Sequence, residues 1–281
     1  MSVPESIIKD YKRILVIGDI HADYHMMLKL LQKFKVIDRN GRWTAKDTYI
    51  VQLGDQVDGG GRGGSDAEGE QEVMEFMDTL NTQANQYGGA VYSLIGNHEM
   101  MNVMGDFRYA SSADVKADGG ANNRKYKYSP GGILAKRLAY SRNAIIKIGD
   151  ILFVHGGISK ELSADIETDK GIRLINTTLR EFLTNKIDSE NPDVKRLFME
   201  KNSLFWDRSL GKEDVKCGDI SYIKQGHIIV GHTPQKAINA KCGGRIWRTD
   251  VGLSKAFGGN QHQVLEITKQ SDGTPKFNVM A

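Results

Sequence analysis

Cysteine is nearly absent from this 281-residue chain, which has only Cys217 and Cys242. Two thiols are too few for a disulfide framework, and neither sits in a CxxC clip, so a reducing compartment is expected. No apolar run approaches the roughly 20 residues that span a bilayer. The longest apolar neighbourhood, residues 144–158, is broken by Lys147, Gly149, Asp150 and His155. Residues 1–12 carry Glu5, Lys9, Asp10 and Lys12 and lack the apolar centre of a secretory signal. A cytoplasmic protein with no membrane partner is therefore expected. An excess of one charge is also missing. With 38 Lys and Arg against 35 Asp and Glu, the formal net charge is +3, which excludes a strongly basic nucleic-acid binder but allows a local basic patch.

Glycine, by contrast, is plentiful: 31 residues against five prolines, as expected of many tight turns and open loops. Short apolar runs at residues 13–18, 48–53, 90–95, 144–148, 151–154, 227–230, 245–249 and 263–267 read as strands. Helical spacing marks residues 24–34 and 70–87, and further helices are expected over 171–186 and 194–202. Gly149-Asp150 between two strands predicts a type I′ hairpin. A βαβαβ opening followed by antiparallel strands predicts an α/β fold with mixed sheets. No repeat, linker or composition break divides the chain, so residues 1–281 are expected to form one domain. Two stretches depart from this rhythm, a glycine loop at 59–65 and a long polar segment at 106–130. Long structureless segments in compact domains are uncommon and often functional.

The strand ends carry the chemistry. The first strand runs into Gly18-Asp19-Ile20-His21, the second into Gly54-Asp55-Gln56-Val57-Asp58, and the third into Gly96-Asn97-His98-Glu99. Later strands end in His155-Gly156-Gly157 and Gly231-His232-Thr233. In open α/β sheets ligands bind beyond the carboxyl ends of the strands. An isolated Gly-Asp is usually a turn and a lone buried His a core residue. Five such ends with complementary donors point instead to a metal site. Imidazole, carboxylate and one amide oxygen without thiolate suit Mn, Fe or Zn. A pair of metals needs a shared carboxylate, for which Asp55 is the natural candidate.

At these residues the sequence resembles the metallophosphoesterase superfamily and, within it, the phosphoprotein phosphatase branch, whose blocks read GDxH, GDxVDRG, GNHE, HGG and GH. The likeness runs from about Arg13 to Ile267. A narrower likeness, to the Shewanella-like protein phosphatases, lies in residues 96–109 and 246–252. The resemblance implies two mixed β-sheets packed face to face with helices outside. It also implies two divalent ions, Mn most of all, with Fe or Zn as alternatives. Asp19, His21 and Asp55 would hold one ion; Asp55, Asn97, His155 and His232 would hold the other. A hydroxide bridging the ions would attack phosphorus in line, and His98, held by Asp58, would protonate the leaving oxygen.

One block is altered. Where the branch reads Asp-Arg-Gly, this chain reads Asp58-Gly59-Gly60-Gly61-Arg62. Arg62, Arg108 in Gly-Asp-Phe-Arg-Tyr and Arg208 in Leu-Phe-Trp-Asp-Arg are the candidates to bind phosphoryl oxygens in place of the missing arginine. If Arg62 does so, Gly59→Arg is expected to rescue its loss. Residues 106–142 hold eight Lys or Arg, with Tyr126 and Tyr128 among them, a pattern that could stack nucleotides or be a solvated loop. The implied activity is hydrolysis of phosphomonoesters, with a phosphorylated protein or peptide as substrate. The alternatives are hydrolysis of dinucleoside polyphosphates or RNA 5′ caps and, from a different class, an inactive phosphoprotein-binding scaffold.

Overall fold

The computed structural model describes residues 3–61, 65–259 and 261–281. Twelve strands lie among them: β1 (Ile7–Ile8), β2 (Arg13–Ile17), β3 (Tyr49–Gln52), β4 (Ala90–Leu94), β5 (Arg142–Asn143), β6 (Ile145–Ile148), β7 (Ile151–Val154), β8 (His227–Val230), β9 (Asn239–Lys241), β10 (Ile246–Arg248), β11 (Val264–Lys269) and β12 (Pro275–Met280). They form two six-stranded mixed sheets, ordered β12-β11-β2-β3-β4-β5 and β1-β6-β7-β8-β10-β9. Within the first sheet β2, β3, β4 and β5 run parallel, and within the second β7, β8 and β10 do. The carboxyl ends of these parallel strands therefore gather at one edge of each sheet.

Alternation along the second sheet shows how the layers stack. Ile146, Ile148, Phe153 and Ile229 join the core built by Ile14, Val16, Ile50 and Val51 of the first sheet. Their neighbours Ile145, Leu152, Val154, Ile228 and Val230 belong to a second core with residues of two helices, α6 (Ile133–Ser141) and α8 (Asp169–Leu183). A period of two sends successive side chains to opposite faces, so one strand serves both layers. The first sheet has its own helices. On α1 (Tyr24–Lys33), Met26, Met27, Leu30 and Leu31 are buried and Asp23 caps the Met26 N–H at 3.0 Å. On α2 (Glu70–Asn85) the buried row is Val73, Met74, Met77, Leu80 and Ala84. Two mixed sheets flanked by helices are the expected architecture. No helix among the described residues is long and apolar enough to cross a membrane.

Several local expectations fail for identifiable reasons. The β6–β7 hairpin has the expected two-residue loop, but only Gly149 has positive φ (59°), whereas type I′ needs it at both positions. The polar segment 106–130 contains α4 (Ser112–Ala117) and α5 (Ala121–Tyr128). On α5 the buried residues are Arg124 and Tyr128, one turn apart, so a charge and a phenol occupy the helix face usually held by aliphatics. The expected helix over 194–202 is a single turn, Pro192–Val194, continued by a π-helical turn over Lys195–Met199.

Cys217 and Cys242 are joined in a disulfide, with Cα atoms 5.2 Å apart. This corrects the expectation of reduced thiols. The bond ties the segment after Arg208 to the loop between β9 and β10, so cysteine usage no longer supports a reducing compartment. Closing a loop with a sequence separation of 25 stabilises a fold by about 2–4 kcal/mol in the chain-entropy account. Urea unfolding of the protein with and without a phosphine reductant should show a loss of that size, absent from the Cys217→Ser/Cys242→Ser protein. Superimposable curves for the untreated and reduced protein would show that the bond contributes nothing.

Candidate metal centre

The carboxyl edges of both sheets open into one cavity of about 850 Å³. Asp19 and His21 follow β2, Asp55 and Asp58 follow β3, and Asn97 and His98 begin α3 (Asn97–Val103) directly after β4. From the other sheet, His155 follows β7 and His232 follows β8. All eight residues are buried. The chain turns sharply to present them. His21, Asp55, Asp58 and His232 have φ of 44°, 51°, 66° and 61°, in the left-handed region that non-glycine residues seldom occupy. At Gly96 a Cβ would come within 2.2 Å of an Asp55 carboxylate oxygen, so only glycine lets β4 end against that side chain.

Asp55 Oδ2 is the point of convergence. His155 Nε2 lies 3.3 Å from it, His21 Nε2 3.7 Å and His98 Nε2 3.9 Å. Each imidazole is oriented from behind: Nδ1 of His21 donates to the Val57 carbonyl (3.2 Å), Nδ1 of His155 to the Leu53 carbonyl (2.8 Å) and Nδ1 of His98 to Asp58 Oδ2 (2.8 Å). Such bonds fix the tautomer and leave Nε2 facing inward. Asn97 Oδ1 lies 3.0 Å from His155 Nε2. Two groups of donors, His21/Asp55/His98 and Asp55/His155/His232, each have their ligating atoms within 4.8 Å of one another and share Asp55. Asp19 stands slightly apart from both, accepting the backbone N–H of His232 at 3.1 Å.

The donor set suits cations. Nε2 of His232 is buried with no hydrogen-bond partner among the described residues, an arrangement that costs free energy unless something else binds there. Burial, His155 and Arg208 push this imidazole down to about 2, which keeps it neutral. Burial opposes charge on Asp55, yet His155, His98 and His21 hold its carboxyl well below the usual range. At Asp19 burial and the nearby Asp250 carboxylate push in the other direction, well above it. Carboxylates this close together are the arrangement that a divalent ion relieves.

Two residues with no role assigned from the sequence belong to this site. Glu99 accepts from the backbone N–H groups of Gly96 (2.7 Å), Gln56 (2.7 Å) and Asp55 (2.9 Å), pinning the β3 and β4 ends together. It stands in the GNHE block, but nothing in the spacing says that it serves backbone rather than substrate. Asp250 follows β10, lines the cavity, and is pushed up to about 6 by burial together with the Asp55 charge. Its signal was the same strand-end pattern, Arg248-Thr249-Asp250-Val251-Gly252.

The three candidate arginines fare differently. Arg208 lines the cavity and its Nη1 donates to the His232 carbonyl at 2.7 Å. Arg108 also lines it, exposed and paired through Nη2 with Asp106 at 2.8 Å. Arg62 lies outside the described residues. The idea of rebuilding the block by Gly59→Arg is overturned, because a Cβ at Gly59 would lie 2.2 Å from the Ala67 carbonyl oxygen. The next glycine is hemmed in too, with its N–H bonded to the Tyr109 carbonyl at 2.8 Å. Aromatic rings close the cavity: Phe257 lies 4.8 Å from the His21 ring, Tyr109 5.3 Å from His98 and Trp206 6.2 Å from His232.

Comparison with known proteins finds phosphatases. The chain is 28% identical over 312 residues to Shewanella-like protein phosphatase 2 of Arabidopsis thaliana, covering 92% of this chain and 76% of the relative. It is 26% identical over 256 residues to Shewanella-like protein phosphatase 1 of Plasmodium berghei, covering 86% and 67%. Among solved structures, a cold-active protein-tyrosine phosphatase of a psychrophilic Shewanella species superposes with a TM-score of 0.79 at 28% identity, over 98% of this chain and 83% of that one. Residues 12–236 match the calcineurin-like phosphoesterase family, and the chain is a member of that family of phosphoester-cleaving enzymes.

Proposed function

We propose that the chain is a metal-dependent phosphomonoesterase of phosphoproteins, in which Asp19, His21, Asp55, Asn97, His155 and His232 hold two divalent ions. The observation that carries this reading is Asp55, a single buried carboxylate shared by two groups of converging donors. Nitrogen and oxygen donors without thiolate suit manganese, with iron or zinc as alternatives. Such ions supply Lewis-acid activation of water and of the phosphoryl group.

The protein's own groups do the rest. Because His98 gives its Nδ1–H to Asp58, Nε2 is the nitrogen that can hand a proton to the departing alkoxide. Arg208, braced against the His232 carbonyl, is placed to meet phosphoryl oxygens, and Arg108 reaches the cavity from the segment that covers the glycine loop. Phe257, Tyr109 and Trp206 line the cavity with rings and suit an aryl phosphate. The solved Shewanella relative is a protein-tyrosine phosphatase, which supports phosphotyrosine as the leading side chain. The nucleotide reading loses part of its motive, since Arg124 and Tyr128 of the basic segment point into the protein.

A substrate panel tests this. The manganese-loaded enzyme should release phosphate from phosphotyrosine and phosphoserine peptides faster than it cleaves diadenosine tetraphosphate or capped RNA. The reverse order would overturn the phosphoprotein reading. No turnover of any of them, with metal bound, would favour the scaffold.

A further inference from the structure

Behind His98 lies a chain of buried polar groups that reaches well past Asp58. Asp58 Oδ1 accepts from Asn102 Nδ2 at 2.8 Å, and the same amide nitrogen donates to the His98 carbonyl at 2.9 Å. The amide oxygen of Asn102 in turn accepts two N–H groups of Arg124, from Nε at 2.8 Å and Nη2 at 2.6 Å. Arg124 is completely buried and stacked on Tyr128, 4.8 Å from the ring. Its remaining donors meet Asp118 Oδ2 at 2.8 Å and both carboxylate oxygens of Glu70.

We infer that Asn102 and Arg124 are positioning residues for the proton donor, together fixing the orientation in which the Asp58 carboxylate meets His98. An amide can point either way, and its two ends have similar shapes. Two guanidinium donors on the oxygen remove that freedom, so the NH₂ end must face Asp58. With Oδ1 of Asp58 thus engaged, Oδ2 is left for His98 Nδ1, and the imidazole keeps the orientation in which Nε2 faces the cavity. Arg124 is the natural anchor because its fork is planar and permanently charged. Glu70 and Asp118 compensate a charge that burial would otherwise forbid. The polar character of α5, unexplained as a surface, follows from this task.

The inference rests on His98 being the general acid, and leaving-group dependence separates the two ideas. In His98→Asn, loss of turnover should be large on 2-glycerophosphate and smaller on p-nitrophenyl phosphate, whose leaving group needs no proton. Asn102→Ala keeps the Arg124 pairs with Glu70 and Asp118, and it should show the same split at lower amplitude. We expect about 10-fold on the alkyl ester, in the range of other supporting contacts, and under threefold on the aryl ester, with metal content unchanged. Arg124→Lys keeps the charge but not the fork and should fall between Asn102→Ala and the native enzyme. Equal losses on both esters in Asn102→Ala, or none on either, would overturn this inference while leaving His98 in its role. Equal losses in His98→Asn would overturn the general-acid reading and this inference with it.

Discussion

Asp55→Asn should strip the protein of metal and bring phosphatase activity to background while leaving the fold in place. The substitution is isosteric, and the backbone around residue 55 is held independently by Glu99, which accepts the residue 55 N–H at 2.9 Å. What it removes is charge. The carboxylate lies within 4 Å of three imidazole Nε2 atoms, and a neutral amide cannot offset two divalent ions. Elemental analysis after dialysis, read beside circular dichroism and turnover, gives the result directly. Native-like metal content with retained activity would end the shared-carboxylate reading.

The second large effect is expected at His98. His98→Asn should lower kcat on alkyl phosphates by roughly 10²–10⁴, the contribution typical of a positioned general acid. Its neighbours argue that the fold survives. Asp58 keeps its bond from Asn102, and the backbone N–H of residue 98 still reaches Asp55 Oδ1 at 2.9 Å. Steady-state rates at saturating manganese would measure the loss. A fall of less than threefold on the alkyl ester would remove His98 from the chemistry.

Much of this site could be read from the chain because it sits where strands stop. A buried strand announces itself by apolar residues, and Gly18-Asp19, Gly54-Asp55, Gly96-Asn97 and Gly231-His232 stand at the first polar positions beyond. The same logic gave the βαβαβ opening, since β2, β3 and β4 alternate with helices of ordinary apolar spacing. It failed where the inward face is not apolar. Segment 106–130 reads as loop because its buried positions are Ser111, Asp114, Asp118, Arg124 and Tyr128, which carry no periodicity of hydrophobicity. It failed also at β12, where Pro275, Lys276 and Asn278 dilute the alternation and the strand pairs only with β11. The disulfide was invisible for a third reason, since the approach of Cys217 to Cys242 is set by tertiary folding rather than spacing. In the glycine loop, Gly60 and Gly61 answer to a contact distant in sequence, since the Arg108–Ser111 backbone lies against them.

The left-handed backbone at His21, Asp55, Asp58 and His232 places stability and catalysis in opposition. Each such residue holds a conformation that costs about 1 kcal/mol for a side chain with a Cβ, and glycine would hold it without that cost. The local backbone geometry therefore favours glycine at the very positions where the proposed metal site calls for imidazole or carboxylate. Screening variants for thermal tolerance alone would weigh that backbone gain against the hydrogen bonds these side chains accept, such as the residue 98 N–H on Asp55 Oδ1 at 2.9 Å. Screening for turnover would keep the four side chains and leave the robustness of the scaffold to be recovered elsewhere, in the helices and the outer strands.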